Sequence, residues 1–504
     1  MSWIAVLEHL PALPEALLLL GTCVLMLVDT FVKDERRAPT YWIAQGTLAL
    51  CFAATLFVIA FSDLKVIDDR MQVAKYYIFN GLFVADFLSH LVKLVSYAAV
   101  SAALVYSRQW LVDRGLLRGE FFSLLLFSLL GMMLLASANS FITVYLGLEL
   151  MSLCLYALVA LNRDSALATE AAMKYFVLGA LSSGLLLYGM SMIYGATGTL
   201  TIPDVANAVR GLASSSLDHH FLVFGLVFVV AGVAFKLGVV PFHMWIPDVY
   251  HGAPTPVTLV IGSGPKLAAF AMAIRLLVNA LPALAADWQQ MLALLAILSI
   301  ALGNITAIAQ TNLKRMLAYS AIANMGFMLL GLLSGLVDDN WLNRDAAYSA
   351  ALFYIIIYTV MSVGAFGMLC LLSRAGFDCE NLEDMRGLNR RRPWFALLMM
   401  LLMLSLAGLP PTAGFYAKLA VFNAAVSAGY LWLAVAAVLL SLVGAYYYLR
   451  IVKLMYFDEP KEAAPASSRI QGGVLMSANG LALLLFGIVP QPLMQLCYVA
   501  IASL

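Results

Sequence analysis

The chain has 504 residues, of which 63% are hydrophobic and 11% charged, and its 29 Lys+Arg nearly balance 28 Asp+Glu. Soluble domains are about 45–50% apolar and about 25% charged, so this chain cannot clothe a globular surface, and it is too apolar to remain disordered. A net charge of +1 excludes a nucleic-acid-binding protein, which needs a basic excess to displace phosphate counterions.

What remains is an all-α polytopic membrane protein. A span needs about 20 mainly apolar residues. In chain order, spans are expected near 11–31, 41–62, 79–107, 119–136, 139–161, 167–197, 220–243, 254–280, 287–309, 315–336, 346–373, 393–428, 431–457 and 472–500. The first reads as a retained helix and not a signal peptide, because Glu8 and Glu15 stand where a basic region would be. The stretch 79–107 is too long for a plain span and is expected to tilt or extend past the bilayer. The stretch 393–428 is expected to break at Pro410-Pro411.

The loops orient these fourteen spans. Odd loops carry sixteen basic residues, from Lys33, Arg36 and Arg37 through Lys314 and Arg315 to Lys461 and Arg469. Even loops carry only Lys65, Arg70, Lys75, Arg210 and Arg344. By the positive-inside rule the odd loops face the cytoplasm, which puts both termini on the periplasmic side.

Cofactor sites are not expected. The six cysteines (Cys23, Cys51, Cys154, Cys370, Cys379 and Cys497) form no CxxC, and no two histidines stand at ligand spacing within one span. Neither a Gly-rich nucleotide loop after a strand nor a GxSxG elbow is present.

Eight basic residues fall in or beside spans. Arg275, Arg450 and Lys453 lie near span ends, where long side chains snorkel to the headgroups. Lys93 shares a helical face with Asp86 and His90, a pattern read as a polar seam or subunit contact in preference to a relay. Lys174 stands four residues after Glu170, the spacing of a local pair, and is a candidate modulator of a Glu149–Lys236 pair. Lys236, Lys266 and Lys418 are different, because each lies well inside an apolar run. A charge at mid-bilayer costs about 2.5–3.5 kcal/mol, and desolvation favours the neutral form of a lysine, so such groups can exchange protons near neutrality. Glu149 is the acidic counterpart, on one helical face with Tyr145, Ser152 and Tyr156, and is expected to titrate as a coupled pair with a nearby lysine.

Two spans should break. FKLGVVPFHMWIP at 235–247 places Gly238 and Pro241 just after Lys236, and GLPPTAGFYAK at 408–418 places Gly408, Pro410, Pro411 and Gly414 just before Lys418. Backbone freed in this way is tolerable in a membrane only when it is buried in protein or lines a hydrated cavity. Two broken spans five apart suggest two inverted five-helix repeats, 119–280 (helices 4–8) and 287–457 (helices 9–13). Residues 1–110 then form peripheral helices 1–3, and 472–504 the last helix. His243, seven residues from Lys236, is a candidate relay towards Lys266, and His251 is expected in a loop. Asn304, Thr306 and Gln310, followed by Tyr319, Ser320 and Asn324, suggest a hydrated path across successive helices.

The stretches FKLGVVPFHMWIPDVYHGAPTPVT, NLKRMLAYSAIANMGFM and LSLAGLPPTAGFYAKLAVF closely resemble the antiporter-like membrane subunits of respiratory complex I, shared in outline with Mrp-type cation/proton antiporters. The coverage is nearly full length. Lys418 favours the subunit N branch over subunit M, which typically has Glu there, and the long C-terminal extension of subunit L is absent. The resemblance implies a proton-translocating subunit of NADH-quinone oxidoreductase in the bacterial cytoplasmic (inner) membrane. Electrons would pass from NADH to a quinone such as ubiquinone elsewhere in the complex, with flavin and iron–sulfur clusters in other subunits. The implied partners are subunit M, small subunits such as K and J, membrane lipids and protons. It further implies that Glu149 and Lys236 are the proton-input pair, Lys266 the central relay and Lys418 the exchange site for the far side. Where the family often has His, this chain has Asn324, which cannot titrate, so a relay there must use water or Tyr319. The alternatives are an Mrp-type cation/proton antiporter subunit and a scaffold whose buried charges only tie helices together.

Overall fold

The structure is a computed structural model that describes residues 10–61, 64–67, 70–73, 75–212, 216–336, 341–460 and 472–504. Glu8, Lys461 and Arg469 lie outside the described residues, as do the side chains of Lys65 and Arg70.

Helices α1 (Leu13–Asp29), α2 (Ala38–Phe61), α3 (Phe87–Asp113), α4 (Gly119–Ala136), α5 (Phe141–Val159) and α6 (Ala166–Thr197) follow one another. The short amphipathic α7 (Ile202–Leu212) precedes α8 (Ser216–Leu237), α9 (Trp245–Gly252), α10 (Thr255–Ile261) and α11 (Gly264–Ala273), which a π-helical turn, Ile274–Ala280, extends. Then come α12 (Ala285–Ile308), α13 (Leu313–Leu333), α14 (Trp341–Leu372), α15 (Pro393–Ala407), α16 (Ala413–Ser427), α17 (Leu431–Tyr456), α18 (Gly473–Ile488) and α19 (Gln491–Ala502). Among the described residues, 12 helices are long and apolar enough to cross a membrane. The pair α18–α19, bent by 80°, raises the number to 13. The remaining expected span, 393–428, is divided into α15 and α16, of 15 residues each, and neither is long enough to cross by itself.

One expectation fails at the third span. Residues 79–85 are not helical: two short hairpins, β1 (Leu64–Ile67) with β2 (Arg70–Val73) and β3 (Tyr76–Ile78) with β4 (Phe83–Ala85), occupy the connection. The helix starts only at Phe87, because Asp86 and Ser89 form a capping box in which each side chain takes the other's backbone N–H. It then runs on to Asp113.

The windows spanning Thr255–Ala280 and Leu313–Leu333 are 100% and 94% buried, against 39% for the first two spans, so α10, α11 and α13 form the centre of the bundle. The third helix is not at the edge, since α3 packs against α10, α11 and α14. Close approach depends on small residues. A methyl group at Gly131 would come within 2.5 Å of Met151 N, locking α4 on α5, and one at Gly303 within 2.7 Å of Ala323 N, locking α12 on α13.

Candidate functional site

The two expected breaks are built alike. At the end of α8, Gly238 adopts φ 76°, and its N–H donates to the carbonyls of Ala234 and Phe235 while Val239 N–H donates to Ala234. At the end of α15, Gly408 adopts φ 82°, its N–H donates to Leu404 and Ser405, and Leu409 N–H donates to Leu404. This left-handed cap suits glycine because it has no Cβ. Three residues later Pro241 and Pro411, both after cis peptide bonds, prevent the helix from resuming.

Lysines occupy the last carbonyl at each break. Lys418 Nζ donates to Ala407 O at 2.8 Å and to Ser441 Oγ at 2.9 Å. The lysine at the first break is not the adjacent Lys236 but Lys266, whose Nζ donates to Leu237 O at 3.4 Å and lies 5.7 Å from the Tyr358 ring. Lys266 follows a third break, which the sequence reading missed. Helix α10 stops at Ile261 and α11 starts at Gly264, with Gly262 O accepting from Ser362 Oγ at 2.8 Å. The signal was GSGP, Gly262 to Pro265.

Lys236 Nζ donates to Ser152 Oγ at 2.9 Å and Tyr156 Oη at 3.4 Å, one and two turns along α5 from Glu149. It makes no direct ion pair with Glu149, whose Oε1 is buried without a hydrogen-bond partner.

A chain of polar side chains runs from the second half of the bundle towards Lys418. Tyr358 and Tyr354 stand one turn apart on α14, and Tyr354 Oη donates to Asn324 Oδ1 at 2.8 Å. Asn324 Nδ2 reaches Ser320 Oγ at 3.3 Å and Tyr448 Oη at 3.4 Å, and Ser320 and Tyr448 are joined hydroxyl to hydroxyl. Two turns before Tyr448 on α17 is Ser441, the partner of Lys418. The hydroxyls hydrogen-bonded to Asn324 therefore come from Ser320, Tyr354 and Tyr448, where water or Tyr319 was expected. The tyrosines were overlooked because an aromatic in an apolar span reads as core.

Other expectations need correction. His243 does not continue the face of Lys236: α8 ends at Leu237, and His243 lies in the turn that follows, its Nδ1 buried without a partner. His251 lies in the last turn of α9 and is not in a loop. Lys174, nearly half exposed, pairs with Glu170 and with Asp248, each at 2.8 Å. Asp248 also binds Arg315 at 2.7 Å, so Lys174 belongs to a surface cluster joining α6, α9 and α13. Burial alone would raise the Asp248 carboxyl, but hydrogen bonds and charge from Lys174 and Arg315 hold it below its ordinary value.

Arg275 does not snorkel. Its side chain is 3% exposed and grips Asp86 with two bonds, 2.7 and 2.8 Å, while donating to Ala136 O. Lys314 is also buried, on Glu380 at 2.6 Å and Ala253 O at 2.9 Å. Lys93 pairs with Glu15 at 2.6 Å, a bond between α3 and α1. Arg450 donates to Ile308 O at 3.4 Å.

Broken helices with lysines on their last carbonyls, and a hydrogen-bonded set of three hydroxyls and one amide in the same bundle, mark an antiporter-like membrane module. The family profile described as NADH:quinone oxidoreductase/Mrp antiporter, TM matches residues 138–444. The NADH-quinone oxidoreductase subunit N of Herminiimonas arsenicoxydans is 56% identical over 499 residues, 98% of each chain, and that of Thiobacillus denitrificans 56% over 500 residues, 99% of each. In solved structures, a chain of respiratory complex I from Thermus thermophilus with bound aureothin is 32% identical, with a TM-score of 0.75 over 95% of this chain and 98% of that one. A chain of the Mrp complex from Dietzia sp., 21% identical with a TM-score of 0.81 over 98% and 97% of the two chains, shares the fold. The chain belongs to the NADH-quinone oxidoreductase subunit N family.

Proposed function

We propose that this subunit translocates protons in the membrane arm of NADH:quinone oxidoreductase, with Lys236, Lys266 and Lys418 as successive stations and Glu149 as the charge that sets the first. As a proton-translocating subunit of that enzyme, it is driven by electron transfer from NADH to quinone. In this reading the flavin and iron–sulfur groups belong to other subunits. Subunit M and small subunits such as K and J are the neighbours, and the basic-residue bias places both termini in the periplasm of an inner membrane.

The observation that supports it best is the pairing of Lys266 and Lys418 with the terminal carbonyls of two broken helices, with the Tyr354–Asn324–Ser320–Tyr448 chain between them. Serine hydroxyls both donate and accept. Ser152 and Ser441 can therefore partner Lys236 and Lys418 in either protonation state, whereas the carbonyls accept only. Charge arriving near Glu149 alters how firmly Lys236 holds its proton, and a proton released there changes the field at Lys266, whose carbonyl partner is the residue after Lys236. Lys174, on the adjoining surface cluster, and His243, in the break itself, are placed as modulators of this first step. The likeness of the two breaks also supports the two inverted repeats, helices 4–8 and 9–13.

In the assembled complex, Lys236→Ala and Glu149→Ala should each impair NADH-driven proton pumping while subunit composition is kept. Normal pumping by both assembled variants would remove the basis of the proposal.

A further inference from the structure

Lys314 repeats the geometry of Lys266 and Lys418 at a third place. Its Nζ donates at 2.9 Å to the carbonyl of Ala253, the residue that caps α9 before α10 begins. Unlike the other two it has a carboxylate partner, Glu380 Oε1 at 2.6 Å, and Thr255 Oγ1 donates to that same oxygen at 3.5 Å. The two partners differ in access. The Glu380 side chain is 23% exposed and that of Lys314 3%, so the carboxylate is reached from outside while the ammonium is shut inside.

Anchoring does not account for the pair. Glu380 lies in the connection between α14 and α15, and backbone bonds already hold that connection to the start of α13. Leu313 N–H donates to Glu380 O, and Leu382 N–H donates to Thr311 O at 2.9 Å. Burying a lysine adds a desolvation cost that these bonds do not require. His251, in the last turn of α9, is within electrostatic reach of Lys314, Glu380, Arg315 and Asp248. Lys314 and Arg315 belong to the odd loops, which the basic-residue bias assigns to the cytoplasm.

The same segment leads inward to Lys266. Helix α10 starts beside Lys314 and continues through the Gly262–Ser263 break into α11, which carries Lys266. Thr258 Oγ1 donates to Tyr250 O at 3.0 Å, and Tyr250 Oη is buried without a hydrogen-bond partner. Tyr250 is within electrostatic reach of Tyr358, whose ring lies 5.7 Å from Lys266 Nζ.

We propose that Glu380 and Lys314 form a proton-entry pair that reloads Lys266 from the cytoplasmic end, a reading that rests on proton translocation by this subunit. The Glu380 carboxylate takes a proton from water. Lys314 passes its own proton inward, with the Tyr250 hydroxyl, which both accepts and donates, on the way to Lys266. Glu380 then reprotonates the neutral lysine and is a carboxylate again. Each cycle moves one proton and leaves the pair as it began.

The test uses the assembled complex in vesicles, with NADH-driven proton pumping and NADH oxidation by an artificial acceptor as readouts. Lys314→Arg keeps the charge and can still bond Glu380, but a guanidinium does not release its proton. Glu380→Gln keeps the shape and an acceptor for Thr255, but cannot carry a proton. Both variants should assemble, oxidise NADH with the acceptor normally, and lose pumping by about tenfold or more, since a positioned proton-transfer group contributes roughly 10²–10⁴-fold. A smaller loss in either assembled variant overturns the proposal; where only one assembles, that one decides. Failure of both to assemble also overturns it, because that is how a purely structural pair behaves. Lys236→Ala, measured alongside, separates the two readings. If it loses pumping while the entry variants pump normally, only the entry pair falls; if it too pumps normally, proton translocation by this subunit falls as well.

Discussion

Tyr354→Phe removes one oxygen and leaves the ring, which packs 6.5 Å from that of Phe327. The lost hydroxyl is the 2.8 Å donor to Asn324 Oδ1 at a fully buried position, so the change leaves a buried amide oxygen without its donor. Leaving such a group unsatisfied costs about 1–3 kcal/mol. It also removes the only hydroxyl found between Tyr358 and Asn324 among the described contacts. If 1–2 kcal/mol of that loss falls on the transfer step, proton passage slows by a factor of roughly 5–30. The assay is proton uptake into vesicles holding the purified complex, driven by NADH and followed with a pH-sensitive dye, alongside NADH oxidation by an artificial acceptor. Pumping should drop while acceptor reduction and subunit composition stay unchanged. Wild-type pumping in both Tyr354→Phe and Asn324→Leu would refute the assignment of this chain to proton transfer.

Arg275→Met strands the Asp86 carboxylate in the interior, a loss of about 3–5 kcal/mol, and should prevent assembly; the double change Asp86→Leu/Arg275→Met should recover much of it, because a buried ion pair gains little over a packed apolar pair. Blue-native gels read both, and a double variant no better than the single would contradict this. Gly408→Ala puts a side chain at φ 82° and 2.6 Å from Lys418 Cδ. The left-handed backbone alone costs about 1–2 kcal/mol, and the methyl pushes Lys418 off Ala407 O, so pumping should fall further than thermal stability does. Asp248→Asn breaks the cluster with Lys174 and Arg315. Because the folded carboxyl is held below its ordinary 3.8, its contribution is present above that value and lost as pH falls through the lower folded one. The Tm gap between wild type and variant should be constant from about pH 8 to pH 5 and close only below about pH 4; a gap that varies between pH 6 and 8 would show that another group governs it.

Most spans and two of the three breaks were legible in the sequence because a long apolar run and a Gly-x-x-Pro interruption each act within a few residues. The hairpin at 76–85 was not, since Tyr, Ile, Phe and Val suit strand and span alike and only Asn80-Gly81 hinted at a turn. Buried partners were the hardest to read. Arg275 lies near a span end, and nothing local shows that its carboxylate is Asp86, 189 residues earlier. Lys236 and Glu149 stand out in the sequence as charges in apolar runs, but that Lys236 bonds to the Ser152 and Tyr156 hydroxyls and not to Glu149 depends on how α5 and α8 pack. Tyr354 and Tyr448 carried no signal, because a hydroxyl on a core aromatic becomes informative only when its partner is known.

The central claim is that Lys266 and Lys418 are stations of one route. Pumping by Lys266→Met, Lys418→Met and the double variant, measured in vesicles at matched complex content, tests it most directly. On a single route the double variant should pump no worse than the more impaired single, because the second block adds nothing once the first is in place. Losses that multiply in the double variant would mean that the two lysines serve separate paths.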